Sequence, residues 1–180
     1  MNNLKYNLLL VLSKLPIIGG GGNARIINAL RSEGCKIGND TRIFSNITGE
    51  PYLIEIGDNC TISTEVSLIT HDASVGLYMG RDNYSDICGK IIIGNNCFIG
   101  SKAIVLYGVT LPENTIVAAG SVVTRSVETP GYILAGNPAK VVGKVRDFLN
   151  KTKPFMLSLH GKSLSEKQSL ILESNKLIVR

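Results

Sequence analysis

The chain has 180 residues, a net charge of +5, and 44% apolar against 18% charged side chains. That balance fits one soluble globular domain with appended segments and excludes a disordered chain. The positive charge reads as too evenly spread for nucleic acid, since no dense Lys/Arg run or aromatic interleaving accompanies it, and it implies only a modest attraction to anionic ligands.

At the N-terminus the apolar run Leu8 to Leu12 is broken by Ser13 and Lys14, short of the roughly twenty residues needed to cross a bilayer. A signal peptide is not expected either, because Lys5 alone makes a poor basic region and no small-x-small site follows before Pro16. Leu4, Leu8, Val11 and Leu15 instead share one helical stripe. A helix over residues 4–15 is predicted, one that caps a domain end, packs on another subunit or attaches loosely to the inner membrane surface. Gly19 to Gly22 then form a flexible break, and a second short helix spans Ala24 to Arg31.

From residue 35 a different period takes over. Branched aliphatics recur every sixth residue at Ile93, Ile99, Val105, Leu111, Val117 and Val123, with shorter ladders at Ile56, Ile62 and Leu68 and at Ile37 and Ile43. Two residues before each rung stands a compact side chain: Cys35, Thr41, Cys60, Val66, Cys97, Ala103, Val109, Thr115 or Ser121. The residue after the rung often tolerates a corner, as at Gly38, Gly57, Gly94, Gly100, Pro112 and Ala118. Short strand, corner, short strand is the unit. Three units close a three-sided coil of about eighteen residues, the signature of a parallel β-helix with an apolar interior. An ordinary sandwich would restart its strands at irregular intervals.

The register slips by one residue between Ile43 and Ile56, which places an irregular corner around Gly49, Glu50 and Pro51. Between Leu68 and Ile93 the rungs vanish. Residues 72–90, rich in Gly, Asp, Asn and Tyr, read as a loop thrown out from the coil, the natural place for a site. The coils close over Val123 to Val142, where Pro130-Gly131 and Gly136-Asn137-Pro138 force turns. A helix from about Val145 to Asn150 follows, and Ser163-x-x-Glu166 is a capping box for a helix over roughly 165–175. The expected organisation is therefore a helical segment over 1–34, a coil domain over 35–143 and a helical tail over 144–180.

Cys35, Cys60 and Cys97 occupy inward slots and read as structural thiols in a reducing, cytoplasmic compartment. Cys88, in the loop, is the one thiol placed to react. Of the two histidines, His160 falls in a linker, whereas His71 closes the segment Leu68-Ile69-Thr70-His71-Asp72, where the last clean rung gives way to the loop. A neutral imidazole there can take a proton near pH 7, as general-base catalysis requires. Its orienting partner stays open among Asp72, Glu65 and Asp86.

The rungs, together with Ile93-Gly94-Asn95-Asn96-Cys97-Phe98-Ile99-Gly100-Ser101, Ala118-Ala119-Gly120-Ser121-Val122-Val123-Thr124-Arg125 and Ala135-Gly136-Asn137-Pro138-Ala139-Lys140, resemble the hexapeptide-repeat acyltransferase family. The likeness is nearest its sugar and polysaccharide O-acetyltransferases and covers about residues 35–143. It implies a left-handed coil, a homotrimer with sites between adjacent subunits, and acetyl-coenzyme A as acyl donor with no metal required. It further implies His71 as the base, Ser101 at the thioester end of the donor, Ala119 along its pantetheine arm, and Thr124, Arg125 and Lys140 near its nucleotide end. A serine hydroxyl or a backbone N–H would stabilise the developing oxyanion. Phe98 stands where many relatives carry tryptophan, a departure that removes support for a stacking role. Arg81, Asn83 and Tyr84, in the loop, are the expected contacts to a saccharide acceptor.

Other acceptors fit the same resemblance: an amino-sugar amine, serine or an antibiotic hydroxyl. Two readings from other classes compete. A γ-type carbonic anhydrase needs three histidine ligands for zinc, and this chain has two histidines in all. A non-enzymatic assembly prism would leave the coincidence of His71, the loop and Ser101 unexplained.

Overall fold

The computed structural model describes residues 22–45, 47, 49–79 and 85–178. The helix expected over residues 4–15 lies outside them. Fifteen short strands follow one helix, α1 (Gly22–Ser32): β1 (Lys36–Ile37), β2 (Arg42–Ile43), β3 (Ile54–Ile56), β4 (Thr61–Ile62), β5 (Ser67–Leu68), β6 (His71–Asp72), β7 (Ile87–Cys88), β8 (Ile91–Ile93), β9 (Phe98–Ile99), β10 (Ile104–Val105), β11 (Thr110–Leu111), β12 (Ile116–Val117), β13 (Val122–Val123), β14 (Tyr132–Gly136) and β15 (Ala139–Lys144). A one-turn helix, α2 (Gly76–Met79), lies between β6 and β7, and α3 (Val145–Thr152) and α4 (Leu164–Leu172) follow β15.

The strands wind into a coil with three parallel sheets, ordered β1-β3-β8-β11, β2-β4-β9-β12-β14 and β5-β10-β13. Ile93 pairs with Leu111, Ile99 with Val117 and Val105 with Val123, so one turn of coil consumes three six-residue units. In the earlier turn Ile37 pairs with Ile56 and Ile43 with Ile62, one residue longer, which is the slip at the Gly49–Pro51 corner.

Every rung is buried, and so is every compact residue two places before it. Large and small side chains therefore alternate within one continuous core, each large aliphatic contributing about 1.5–3 kcal/mol of burial. Burial pushes the Cys35 thiol up to about 12, in keeping with an inert structural role. Along one edge, Asp40, Asn59, Asn96 and Asn114 take left-handed φ of 54°, 52°, 55° and 58°, a conformation that Asn and Asp tolerate better than other side chains. Gly100 is required by close approach: a Cβ there would stand 2.6 Å from the backbone N of Ala119 in the next turn.

An open coil presents unpaired strand edges at its first turn. Here α1 covers them. Ile26 and Leu30 enter the core, the Asn23 side-chain amide donates to the Ile43 carbonyl at 2.6 Å and accepts from the Ile43 N–H at 3.3 Å, and the Arg31 guanidinium donates to the Ile37 carbonyl at 2.7 Å. Asn23 thus substitutes for a missing neighbouring strand. At the other end Leu134 supplies one more buried rung on β14, and β15 folds back antiparallel to β14. The capping box forms as expected, with Ser163 and Glu166 bonded to each other's backbone at the start of α4. Among the described residues no helix is long and apolar enough to cross a membrane.

Candidate active site

The site is built where the coil is interrupted. After β5 the chain leaves the third sheet as β6, which pairs antiparallel with β7 and sets His71 opposite Cys88. The Gly89 N–H donates to the Thr70 carbonyl at 2.9 Å and closes the base of this ribbon. The segment read as a bare loop from the sequence therefore carries a two-strand ribbon and a one-turn helix of its own.

One coil turn earlier runs the irregular corner. Gly49 adopts φ +114°, and a Cβ there would stand 2.5 Å from the Thr70 hydroxyl oxygen, so only glycine lets Thr70 sit where it does. Thr70 is 1% exposed. Its hydroxyl donates to Glu50 Oε2 and accepts from the Glu50 N–H at 3.1 Å, fixing both ends of that residue. The same carboxylate oxygen lies 2.9 Å from His71 Nδ1.

A carboxylate only accepts, so Nδ1 carries the proton and Nε2 is left with the lone pair. The Thr70 hydroxyl, and after it the His71 contact, hold the Glu50 carboxyl below the usual carboxylate range against the opposing effect of partial burial. His71 is raised, first by its hydrogen bond to Glu50, then by the Glu50 charge and, more weakly, by Asp86 and Asp72. The imidazole is thus oriented, made more basic and left partly exposed, with 39% of its side chain in solvent.

The three carboxylates considered from the sequence are engaged elsewhere or act only at a distance. Asp72 accepts from the Ser74 N–H at 2.8 Å and from the Tyr107 hydroxyl at 3.3 Å. Glu65 pairs with Lys102 at 3.8 Å, and Asp86 contributes charge alone. Glu50 and Thr70 were missed because the corner was read only as an irregularity. The available signal was the length of the coil turn: the offset that pairs Ile43 with Ile62 carries Glu50 to the vicinity of Thr70 and His71.

Ser101 is half-buried at the corner after β9, its hydroxyl 2.8 Å from that of Ser63 and 3.2 Å from that of Thr64. Ala119 lies at the same corner one turn on, exposed, and the Gly120 N–H donates to the Ser101 carbonyl at 2.9 Å. Thr124 and Arg125, just after β13, and Lys140, on β15, are exposed. Phe98 is exposed on the outer face of β9, between Thr61 and Ile116. Arg81, Asn83 and Tyr84 lie outside the described residues. Ser101 precedes the strand β10, whereas His71 follows β5 of the same sheet, so the two stand at opposite edges of one face. The register sets Ser101 level with Thr64, about seven extended residues before His71, a separation of at most about 25 Å.

A coil of six-residue units with a basic imidazole at its interruption defines a class: the chain belongs to the hexapeptide-repeat acetyltransferase family, and it is an acyltransferase. Residues 90–125 match the family described as the hexapeptide repeat of succinyl-transferase. Among curated proteins the chain is similar to protein CapG of Staphylococcus aureus, 38% identical over 151 residues that span 82% of this chain and 86% of that one. It is also similar to the galactoside O-acetyltransferase of Escherichia coli K12, 35% identical over 100 residues, 54% of this chain and 47% of that protein. The fold is shared with a galactoside acetyltransferase solved in complex with coenzyme A, at a TM-score of 0.57 and 20% identity over 82% of each chain. A maltose O-acetyltransferase from Clostridium difficile 630 gives a TM-score of 0.57 and 22% identity over 79% of this chain and 85% of that one.

Proposed function

We propose that this protein transfers an acetyl group from acetyl-coenzyme A to a sugar hydroxyl, in the modification of a surface polysaccharide or its precursor, with His71 as general base. The observation that carries this reading is the Thr70–Glu50–His71 cluster, a carboxylate fixed at both ends that presents one imidazole nitrogen to solvent at the root of a projecting ribbon. Likeness to a galactoside O-acetyltransferase supports a sugar hydroxyl as the acceptor.

The donor is an activated thioester on a long arm that ends in phosphates. This chain offers a matching column: Gly100 without a side chain, Ser101, then the exposed Ala119 and Gly120, with Arg125 and Lys140 farther along for negative charge. Nε2 of His71 takes the proton of the acceptor hydroxyl as its oxygen forms the new ester bond, and returns it to the thiolate as the carbon–sulfur bond breaks. No acyl-enzyme is needed. Glu50 balances the imidazolium charge between these steps, and in this reading the Ser101 hydroxyl donates to the negative oxygen.

Because His71 and Ser101 stand at opposite edges of one face, the working site joins His71 of one subunit to the Ser101 column of the next. A cyclic trimer with a left-handed coil, three sites between neighbours and a cytoplasmic location completes the reading. Arg81, Asn83 and Tyr84 are assigned to the acceptor. The test is release of free thiol from acetyl-coenzyme A across a panel of free, nucleotide-linked and lipid-linked saccharides. The reading predicts release that depends on a saccharide and yields its O-acetyl ester; release indifferent to every acceptor, or an amide product, would overturn it.

A further inference from the structure

The net charge of the chain is concentrated in its C-terminal third rather than evenly spread. Between residues 139 and 162 stand Lys140, Lys144, Arg146, Lys151, Lys153 and Lys162 against Asp147 alone. That surplus equals the net charge of the whole chain, +5, so the rest of the sequence is balanced. These residues form β15, α3 and the turn after it, and the cationic side chains are exposed.

Large apolar side chains are exposed among the same residues. Val142 is 63% exposed and Met156 56%, with Phe148, Leu149 and Phe155 close to half. None of the residues of α3 is buried. Beside the helix lies a cleft of about 470 Å³ lined by Lys144, Arg146, Asn114, Asn150, Gly131, Val145 and Leu149. Asn114 belongs to the prism edge between β11 and β12, whereas Ser101 and Ala119 lie on the edge that leads into β10 and β13, so the cleft stands apart from the donor column.

Cations mixed with exposed aliphatic and aromatic side chains suit an anionic lipid surface, which offers phosphates to the former and an acyl boundary to the latter. A nucleic acid backbone would leave Val142, Leu149 and Met156 unused. We infer that Val142 to Lys144 at the end of β15, α3 and the turn after it form a docking surface for a bilayer containing anionic phospholipid, with the cleft between Lys144 and Arg146 receiving a headgroup phosphate, while Lys140, at the other end of β15, stays with the donor column. This places the enzyme on a membrane independently of residues 4–15.

The test is co-sedimentation of the full chain, without donor or acceptor, with phosphatidylcholine vesicles that contain or lack phosphatidylglycerol. Binding is expected only to the anionic vesicles. Each cation near such a surface is worth about fivefold in partitioning, so Arg146→Gln/Lys151→Gln/Lys153→Gln should bind about a hundredfold more weakly. Phe155→Ser/Met156→Ser should also weaken binding, and both variants should acetylate a soluble saccharide as the wild type does. Equal binding to both vesicles, or full binding by the charge variant, would overturn the inference and, in the second case, assign attachment to residues 4–15. Loss of oligomer by the charge variant in sedimentation velocity would make the surface a subunit interface instead. Duplex DNA that binds more tightly than the vesicles at the same ionic strength would reassign the surface to nucleic acid.

Discussion

Replacing Glu50 by glutamine keeps the shape of the side chain and removes its charge. The carboxylate lies 2.9 Å from His71 Nδ1 and raises the affinity of the ring for a proton, chiefly through that hydrogen bond. A general base works in its neutral form, so a raised pKa means that activity is already lost at higher pH on the acid side. Taking the carboxylate away lowers the His71 pKa, and the acid limb of the kcat/KM profile should move to lower pH. On the plateau the rate should nevertheless fall, because the ring loses its anchor and the transient imidazolium its counter-charge. Misplacing a catalytic group by about 1 Å costs on the order of 10²-fold. The imidazole side chain is 39% exposed and the carboxylate 27%, so water substitutes in part and a loss of about tenfold to a hundredfold is expected. Thiol release measured against pH for both proteins supplies the comparison, and His71 titration by NMR in the free enzymes gives a second reading of the same shift. An acid limb that stays in place, with a plateau equal to the wild type, would refute the assignment of Glu50 as the orienting partner.

Three further perturbations probe the frame that holds the cluster. Gly49→Ala puts a methyl group at a φ of +114° and 2.5 Å from the Thr70 oxygen; urea unfolding should report a loss of about 1–3 kcal/mol, with reduced turnover as Thr70 and Glu50 shift. Ile99→Ala empties a fully buried rung between Ile62 and Val117 and should lower stability by about 2–5 kcal/mol in the same assay. Asn23→Ala withdraws the amide that satisfies both polar groups of Ile43, and a loss of about 1–3 kcal/mol is expected, with faster amide exchange at Ile43.

The coil was legible because its inner positions are coded locally. A six-residue restart of branched aliphatics and the compact slot before each one are set by neighbours in sequence, and both sets are buried throughout. Leu134 escaped the ladder because the Pro130-Gly131 turn shortens the path to the last rung by one residue, which breaks the period. The ribbon of β6 and β7 escaped for a different reason: its two strands stand outside the six-residue restart, and their pairing depends on how residues 72–90 fold back. Glu50 illustrates a third kind of blindness. It reaches His71 only because the coil returns after one turn, and an extra residue at that corner obscures which positions become neighbours. The partner of the imidazole was therefore encoded in coil arithmetic rather than in any local motif, whereas Asp72, adjacent in sequence, is held by Ser74 and Tyr107.

The central claim is that one imidazole moves the proton in acetyl transfer, and His71→Ala tests it most directly. Steady-state turnover with acetyl-coenzyme A and a saccharide acceptor should fall by about 10²–10⁴-fold, while circular dichroism and sedimentation velocity match the wild type. Turnover near the wild-type rate in a folded protein of unchanged oligomeric state would contradict the account.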